Sequence, residues 1–211
     1  MEAKHLTVKN LVFSLSAVSI LEGFLRLTSL GSSIAALGAT RLIQSVLVVW
    51  IAMISSGGAA SIGLERSGWL HGFRKGVLWS LAFGALALCA FFLLFLNGIN
   101  ALHMIRGSLP GNARDMVLLF LVGGILAPLT EEMVYRGLLY GFFRRWGVAT
   151  GLIVSTLLFV FSHPINRGFP FTQAIGGLVF AAAYEVEGNL LVPITIHILG
   201  NLAILTLSAL A

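Results

Sequence analysis

Thr130-Glu131-Glu132-Met133-Val134-Tyr135-Arg136-Gly137 decides how this chain is read, because it sets two carboxylates and a guanidinium inside an apolar helix. Met116 to Leu129 before it is apolar, and so is Leu138 to Phe143 after it, up to Arg144 and Arg145. Each such charge costs roughly 2.5–3.5 kcal/mol at the centre of a membrane helix, so a cluster of three marks a functional site by default. Glu132 and Arg136 are four residues apart, share a helix face and can pair internally. Glu131 points about a quarter-turn away and is left without that partner.

Composition agrees with a membrane setting. Of the 211 residues, 58% are hydrophobic and 10% charged, with a mean hydropathy of +0.98. A soluble domain carries about 25% charged residues, so the expectation is an all-α, polytopic transmembrane helical bundle in the cell (inner) membrane. Residues 1–211 read as a single integral-membrane domain. The formal charge of +5 is scattered over segment ends, where it sets orientation, and no nucleic-acid partner is implied. Cys89 stands alone in an apolar run, so neither an internal disulfide nor a thiolate motif is available. Lys4 and Lys9 before an apolar run give residues 1–30 the look of a signal peptide. Glu22 and Arg26 interrupt that run, however, and further spans follow, so a first membrane helix is expected.

Spans of about 20 apolar residues are expected over 11–30, 42–56 (with a possible extension back to Ser33), 76–97, 116–143, 148–163, 171–186 and 190–209, about seven in all. In an alternating seven-span path, Lys4, Lys9, Arg66, Arg74, Lys75, Arg144 and Arg145 fall on one side, and Arg106, Arg114 and Arg167 on the other. That excess places the N-terminus in the cytoplasm, although Arg26 and Arg41 lie near the opposite face. Glu22 and Arg26, again four apart, read as a self-neutralised pair. Glu185 and Glu187 read as a solvated loop, and the many Phe residues and Gly176-Gly177 as lipid-facing bulk and close helix packing.

Two further patterns complete a constellation. Phe159-Val160-Phe161-Ser162-His163 ends a span just before Pro164, and His197-Ile198-Leu199-Gly200-Asn201 puts His197 and Asn201 on one face of the last span. His5, His71 and His103 lie outside any motif. By helical rise Glu131 lies ~20 Å from the Arg144 face, His163 up to ~27 Å and His197 ~14 Å, an agreement within two helical turns.

Glu-Glu-x3-Arg, Phe-x3-His and His-x3-Asn, in this order on successive membrane helices, resemble the CAAX protease and bacteriocin-processing (CPBP, or Abi) family of intramembrane proteases. The resemblance covers about residues 115–205, which would form the catalytic core, and includes Tyr135-Arg136-Gly137 and Pro193-Ile194-x2-His197. The first three helices carry no signature. The resemblance implies an endopeptidase related to the CAAX-processing endoprotease, acting on a membrane-associated peptide or protein such as a CAAX-like tail, a leader or a C-terminal sorting tag. It further implies that Glu131 and His163 activate a water, that His197 and Asn201 bind the oxyanion, and that Glu132 and Arg136 support them. No cofactor is expected. Zinc held by Glu131, His163 and His197 is the alternative, weakened by the lack of a His-Glu-x2-His helix. Other classes to weigh are a non-catalytic bacteriocin-immunity or binding protein, and an ion- or proton-coupled transporter. Retention of all the motif positions argues against the first, and the lack of repeats against the second.

Overall fold

The computed structural model describes residues 6–100, 107–163 and 170–210, with the side chain of Arg66 undescribed. Lys4, His5, His103, Arg106, Pro164 and Arg167 therefore lie outside the described residues. Among those described the secondary structure is helical, without strands. The helices are α1 (Val8–Leu27), α2 (Ile34–Met53), α3 (Trp69–Leu96), α4 (Ala113–Trp146), α5 (Val148–Phe161), α6 (Phe171–Glu187) and α7 (Leu191–Leu210).

Local chemistry sets the helix ends. The Thr7, Ser33 and Asn112 side chains accept the backbone N–H groups of Asn10, Ala36 and Asp115, which caps α1, α2 and α4. Gly188, at φ 64°, ends α6 in the left-handed conformation that glycine tolerates. Because Ser33 is a cap, α2 occupies 34–53, which takes up the extension of the 42–56 span back to Ser33 and ends three residues sooner. Five helices are long and apolar enough to cross a membrane: α1, α2, α3, α4 and α7. With 14 and 17 residues, α5 and α6 reach only about 21 and 26 Å, short of a ~30 Å hydrocarbon core. The seven expected spans are thus seven helices, two of which do not cross by length alone.

Pro128 falls inside α4, where it removes a donor and its ring crowds the carbonyl four residues back. The helix accommodates it by winding Val122–Leu126 as a π segment, and widens again over Met133–Tyr140, directly after the glutamate pair.

Contacts between chain segments concentrate at one end of the bundle. Arg145 Nη2 donates to the Leu6 carbonyl at 2.9 Å, Leu190 N–H to Gly63 at 2.9 Å and Asn189 Nδ2 to Gly68 at 2.9 Å. Arg144 grips Glu185 through Nε and Nη2 at 2.9 and 2.7 Å, and the Tyr140 hydroxyl donates to the same carboxylate at 2.6 Å. Trp79 Nε1 donates to Glu187 at 3.0 Å, beside Lys75 at 3.4 Å. The reading of Glu185 and Glu187 as a solvated loop is therefore corrected: both lie within α6 and bind across helices. The starts of α1 and α3, the end of α4 and the α6–α7 turn share this end, as an alternating path requires. It also carries Lys9, Arg74, Lys75, Arg144 and Arg145.

α3 leans on α7 through glycines and otherwise presents apolar residues outward, as a lipid-facing helix does. A Cβ at Gly76 would come within 2.5 Å of Thr195 Cβ, whereas one at Gly84 would meet nothing within 4 Å. Gly76→Ala should therefore cost about 1–3 kcal/mol by overpacking, seen as a lowered melting midpoint in detergent, while Gly84→Ala melts like the parent. Equal melting of both would contradict the close α3–α7 approach. The basic end should be cytoplasmic. In a Cys89→Ser background, a cysteine at position 111 should react with an impermeant thiol reagent on intact cells, and one at position 147 only after permeabilisation.

Candidate active site

Arg136 organises the interior of α4. It is fully buried, as is Glu132, and the two pair at 2.9 Å through Nη1 and Oε1. Nη2 donates to the Gly177 carbonyl of α6 at 2.9 Å. The guanidinium also lies over the rings of Phe159 (4.7 Å) and Phe180 (5.2 Å), whose negative faces favour a cation. Gly177 has to lack a side chain here, since a Cβ would press on Thr156 at 3.0 Å and Phe159 at 3.2 Å. Phe159 opens the Phe-x3-His pattern, whereas Phe180 and Gly177 read from the sequence mainly as lipid-facing bulk and close helix packing. Instead they wall in the charged centre, and hydropathy carries no signal for that.

Glu132 does a second job that the sequence did not show. Its Oε1 also meets His197 Nδ1 of α7 at 2.7 Å. A carboxylate oxygen accepts, so Nδ1 carries a proton, and the Nε2 side of the ring is turned away from Glu132. Phe180 stacks on the same ring at 4.6 Å and 24°. His163 is fixed similarly. Its Nδ1 donates to the Phe159 carbonyl at 2.8 Å, one turn back, which folds the ring toward the interior against Phe159.

Both rings therefore aim Nε2 at one place, and Glu131 is there. Its Oε2 lies 3.9 Å from His163 Nε2 and 3.8 Å from His197 Nε2. These distances exceed a direct hydrogen bond and suit one small bridging molecule. The structure thus brings Glu131, His163 and His197 together, from α4, the end of α5 and α7. Glu132 and Arg136 lie beside them. Asn201 is placed differently: one Nδ2–H of its amide donates to the Gly123 carbonyl, in the π-wound turn of α4, at 2.9 Å. It stands one turn beyond His197, and an amide nitrogen has a second N–H to offer.

Zinc fits the donor types but not the spacing. A tetrahedral ion about 2.0–2.1 Å from each donor would hold the donors about 3.3–3.4 Å apart. The pairs found here are 3.8 and 3.9 Å apart. Among the described residues, no group of three or more His, Cys, Asp or Glu is arranged to hold a metal ion.

One more contact was not legible in sequence. Thr130, next to Glu131, donates to the Arg41 carbonyl of α2 at 2.9 Å and lies 2.8 Å from Ser45 Oγ. Helix α2 is thereby locked to α4 beside the glutamates.

Removing the guanidinium should be severe. Arg136→Ala leaves Glu132 buried opposite a single partner and should destabilise by about 3–5 kcal/mol. Arg136→Lys should not restore stability, because a point charge cannot span Glu132 and Gly177 together. Thermal unfolding of both variants checks this, and a fully stable lysine variant would contradict it.

Comparison with known proteins bears on the same segment. The sequence profile of the family described as "Type II CAAX prenyl endopeptidase Rce1-like" matches residues 113–203. An uncharacterized 24.3 kDa protein of Escherichia coli is 35% identical over 89 residues, which is 39% of this chain. The match spans 41% of that relative's length. No solved structure matches. Residues 113–203, under half of the chain, carry all the motif side chains, and over them the chain is similar to the type II CAAX prenyl endopeptidase family.

Proposed function

We propose that this protein is an intramembrane endopeptidase that hydrolyses a peptide bond in a membrane-associated substrate with a water activated by Glu131 and His163. One observation carries the reading. Of two adjacent carboxylates, Glu132 is occupied by Arg136 and His197, while Glu131 faces the Nε2 atoms of two histidines across a water-sized gap. A water there gives one proton to a hydrogen bond with Glu131 and the other to one with His163 Nε2. One of its two lone pairs faces the substrate.

As the water oxygen bonds to the scissile carbonyl carbon, its O–H bond breaks and Glu131 takes the proton. The carbonyl oxygen becomes an oxyanion, served by His197 Nε2 and the second N–H of Asn201. Because His197 Nδ1 already donates to Glu132, donation from Nε2 requires the doubly protonated ring, with Glu132 as its counter-ion. Two carboxylates then balance Arg136 and His197, and the centre is neutral overall. Collapse breaks the C–N bond, and Glu131 returns its proton to the leaving amine. The products are a carboxylic acid and an amine, which become a carboxylate and an ammonium when the acid's proton passes to the amine. A prenylated CAAX tail, a leader or a sorting tag are the substrate forms this chemistry suits, with no cofactor in the reaction. The lack of sequence repeats stands against a transporter, and an immunity protein that only binds need not keep an oxyanion pair.

Purified protein in detergent should cleave a suitable fluorogenic peptide, and Glu131→Gln or His163→Ala should nearly abolish turnover. Asn201→Ala should lose about 10²–10³ in rate, the usual cost of one oxyanion donor. Full activity in Glu131→Gln would defeat the general-base role. Activity should also survive exhaustive treatment with strong chelators. Loss on chelation with recovery on adding zinc would replace the water mechanism with a metal one.

A further inference from the structure

Arg41 of α2 is a charged side chain that the chemistry above leaves unused. Its carbonyl accepts the Thr130 hydroxyl at 2.9 Å, so its backbone lies against the residue preceding Glu131. The Tyr135 hydroxyl, one turn along α4, is within electrostatic reach of both Glu131 and Arg41. Arg41 thus lies beside the segment of α4 that carries Glu131.

The guanidinium is held but not saturated. Both of its bonds use Nη1, to Glu22 Oε2 and Gln44 Oε1, each at 2.8 Å. Gln44 is itself fixed by its Nε2 bond to the Val18 carbonyl at 3.1 Å. Nε is buried with no partner, and Nη2 makes no hydrogen bond among the described residues. The charge is unbalanced as well. Glu22 also serves Arg26, at 3.1 Å, so one carboxylate faces two guanidiniums. Arg26 is 71% exposed and screened, but Arg41 is only 18% exposed, so the residual positive charge resides on it. A guanidinium fixed in a poorly solvated site, with the Nη2 of its planar fork left without a partner, can donate to a carboxylate.

We propose that Arg41 is an anion-recognising residue of the substrate site, taking a carboxylate of the bound peptide on the α2 side of Glu131. This inference rests on the peptidase reading above. The carboxylate could be the substrate's C-terminus or an acidic side chain near the cleaved bond, and the same fork serves both.

The test separates these sources and separates this inference from that reading. Fluorescent, N-acylated apolar hexapeptides, randomised at inner positions, are prepared with a free C-terminal carboxylate, with an amide, and with an amide plus one inner glutamate. Retention by Glu131→Gln protein in zwitterionic nanodiscs needs binding only, not turnover. Free-acid peptides should be retained at least about tenfold better than amides, as for hydrogen bonds to a charged group. The preference should vanish in Glu131→Gln/Arg41→Gln and persist in part with Arg41→Lys, which preserves a partner for Glu22. Preference for the inner-glutamate amides instead assigns the acidic side chain and supports the same residue role. Equal retention of all three forms would overturn the proposal. So would a preference that survives both Arg41 variants, or melting that rises with anionic lipid only when Arg41 is present, since a lipid phosphate would then be the occupant. Cleavage of the same peptides by the parent protein is scored separately, so failure of the peptidase reading shows as binding without turnover.

Discussion

Everything around the candidate centre depends on one buried guanidinium. Taking Arg136 out of water costs several kcal/mol, and an ion pair alone rarely recovers it. The protein offsets that cost with Glu132 and the Gly177 carbonyl, each at 2.9 Å, and with the faces of Phe159 and Phe180. These partners belong to α4, α5 and α6, and Glu132 extends the chain to His197 of α7 at 2.7 Å. A shift of any of the four helices along its axis would leave a charge or a buried carbonyl unpartnered. The arginine therefore fixes helix register where apolar side chains sliding against one another, or against lipid, would not.

The same chain explains why adjacent glutamates differ. Consecutive residues on a helix point about 100° apart, which is enough to put Glu132 in the interior and Glu131 at the edge of the site. Glu132 is committed on Oε1 to two donors. Glu131 meets only the Nε2 atoms of two rings, and both rings are aimed by bonds made on the far side, to a carboxylate and to a backbone carbonyl. Orientation from behind leaves the Nε2 side of each ring turned to Glu131.

Sequence periodicity made part of this legible. The apolar run broken by charge located α4, and four-residue spacing foretold the Glu132–Arg136 pair because both partners sit on one helix. It could not show that Glu132 would also hold His197, 65 residues away. Spacing reports which face a side chain occupies and not what that face meets. The same limit hid the Arg136–Gly177 bond and the Thr130–Arg41 lock, and it made Glu185 and Glu187 read as solvated when their partners are Arg144, Tyr140 and Trp79. Hydropathy placed a helix at each of the seven apolar segments, with α5 and α6 shorter than a full span and α2 opening at the Ser33 cap, ahead of the polar Thr40-Arg41 pair.

Polar bonds between helices are unevenly distributed along the bundle, and that has a mechanical consequence. At the basic end, Arg144–Glu185, Lys75–Glu187, Asn189–Gly68 and Arg145–Leu6 tie α1, α3, α4, α6 and α7 together. The charged centre ties α4 to α7 about 20 Å further along α4. Past that level, the described bonds between segments include Asn201 to the Gly123 carbonyl at 2.9 Å and Gly107 N–H to Ser208 Oγ at 3.1 Å. Only Gly72 and Gly76 of α3, both near its start, are buried. Local opening is cheapest where packed contacts and bonds are fewest. The stretch of α4 between the basic end and Arg136, tied at both levels, therefore opens least, which keeps Glu131, His163 and His197 in register.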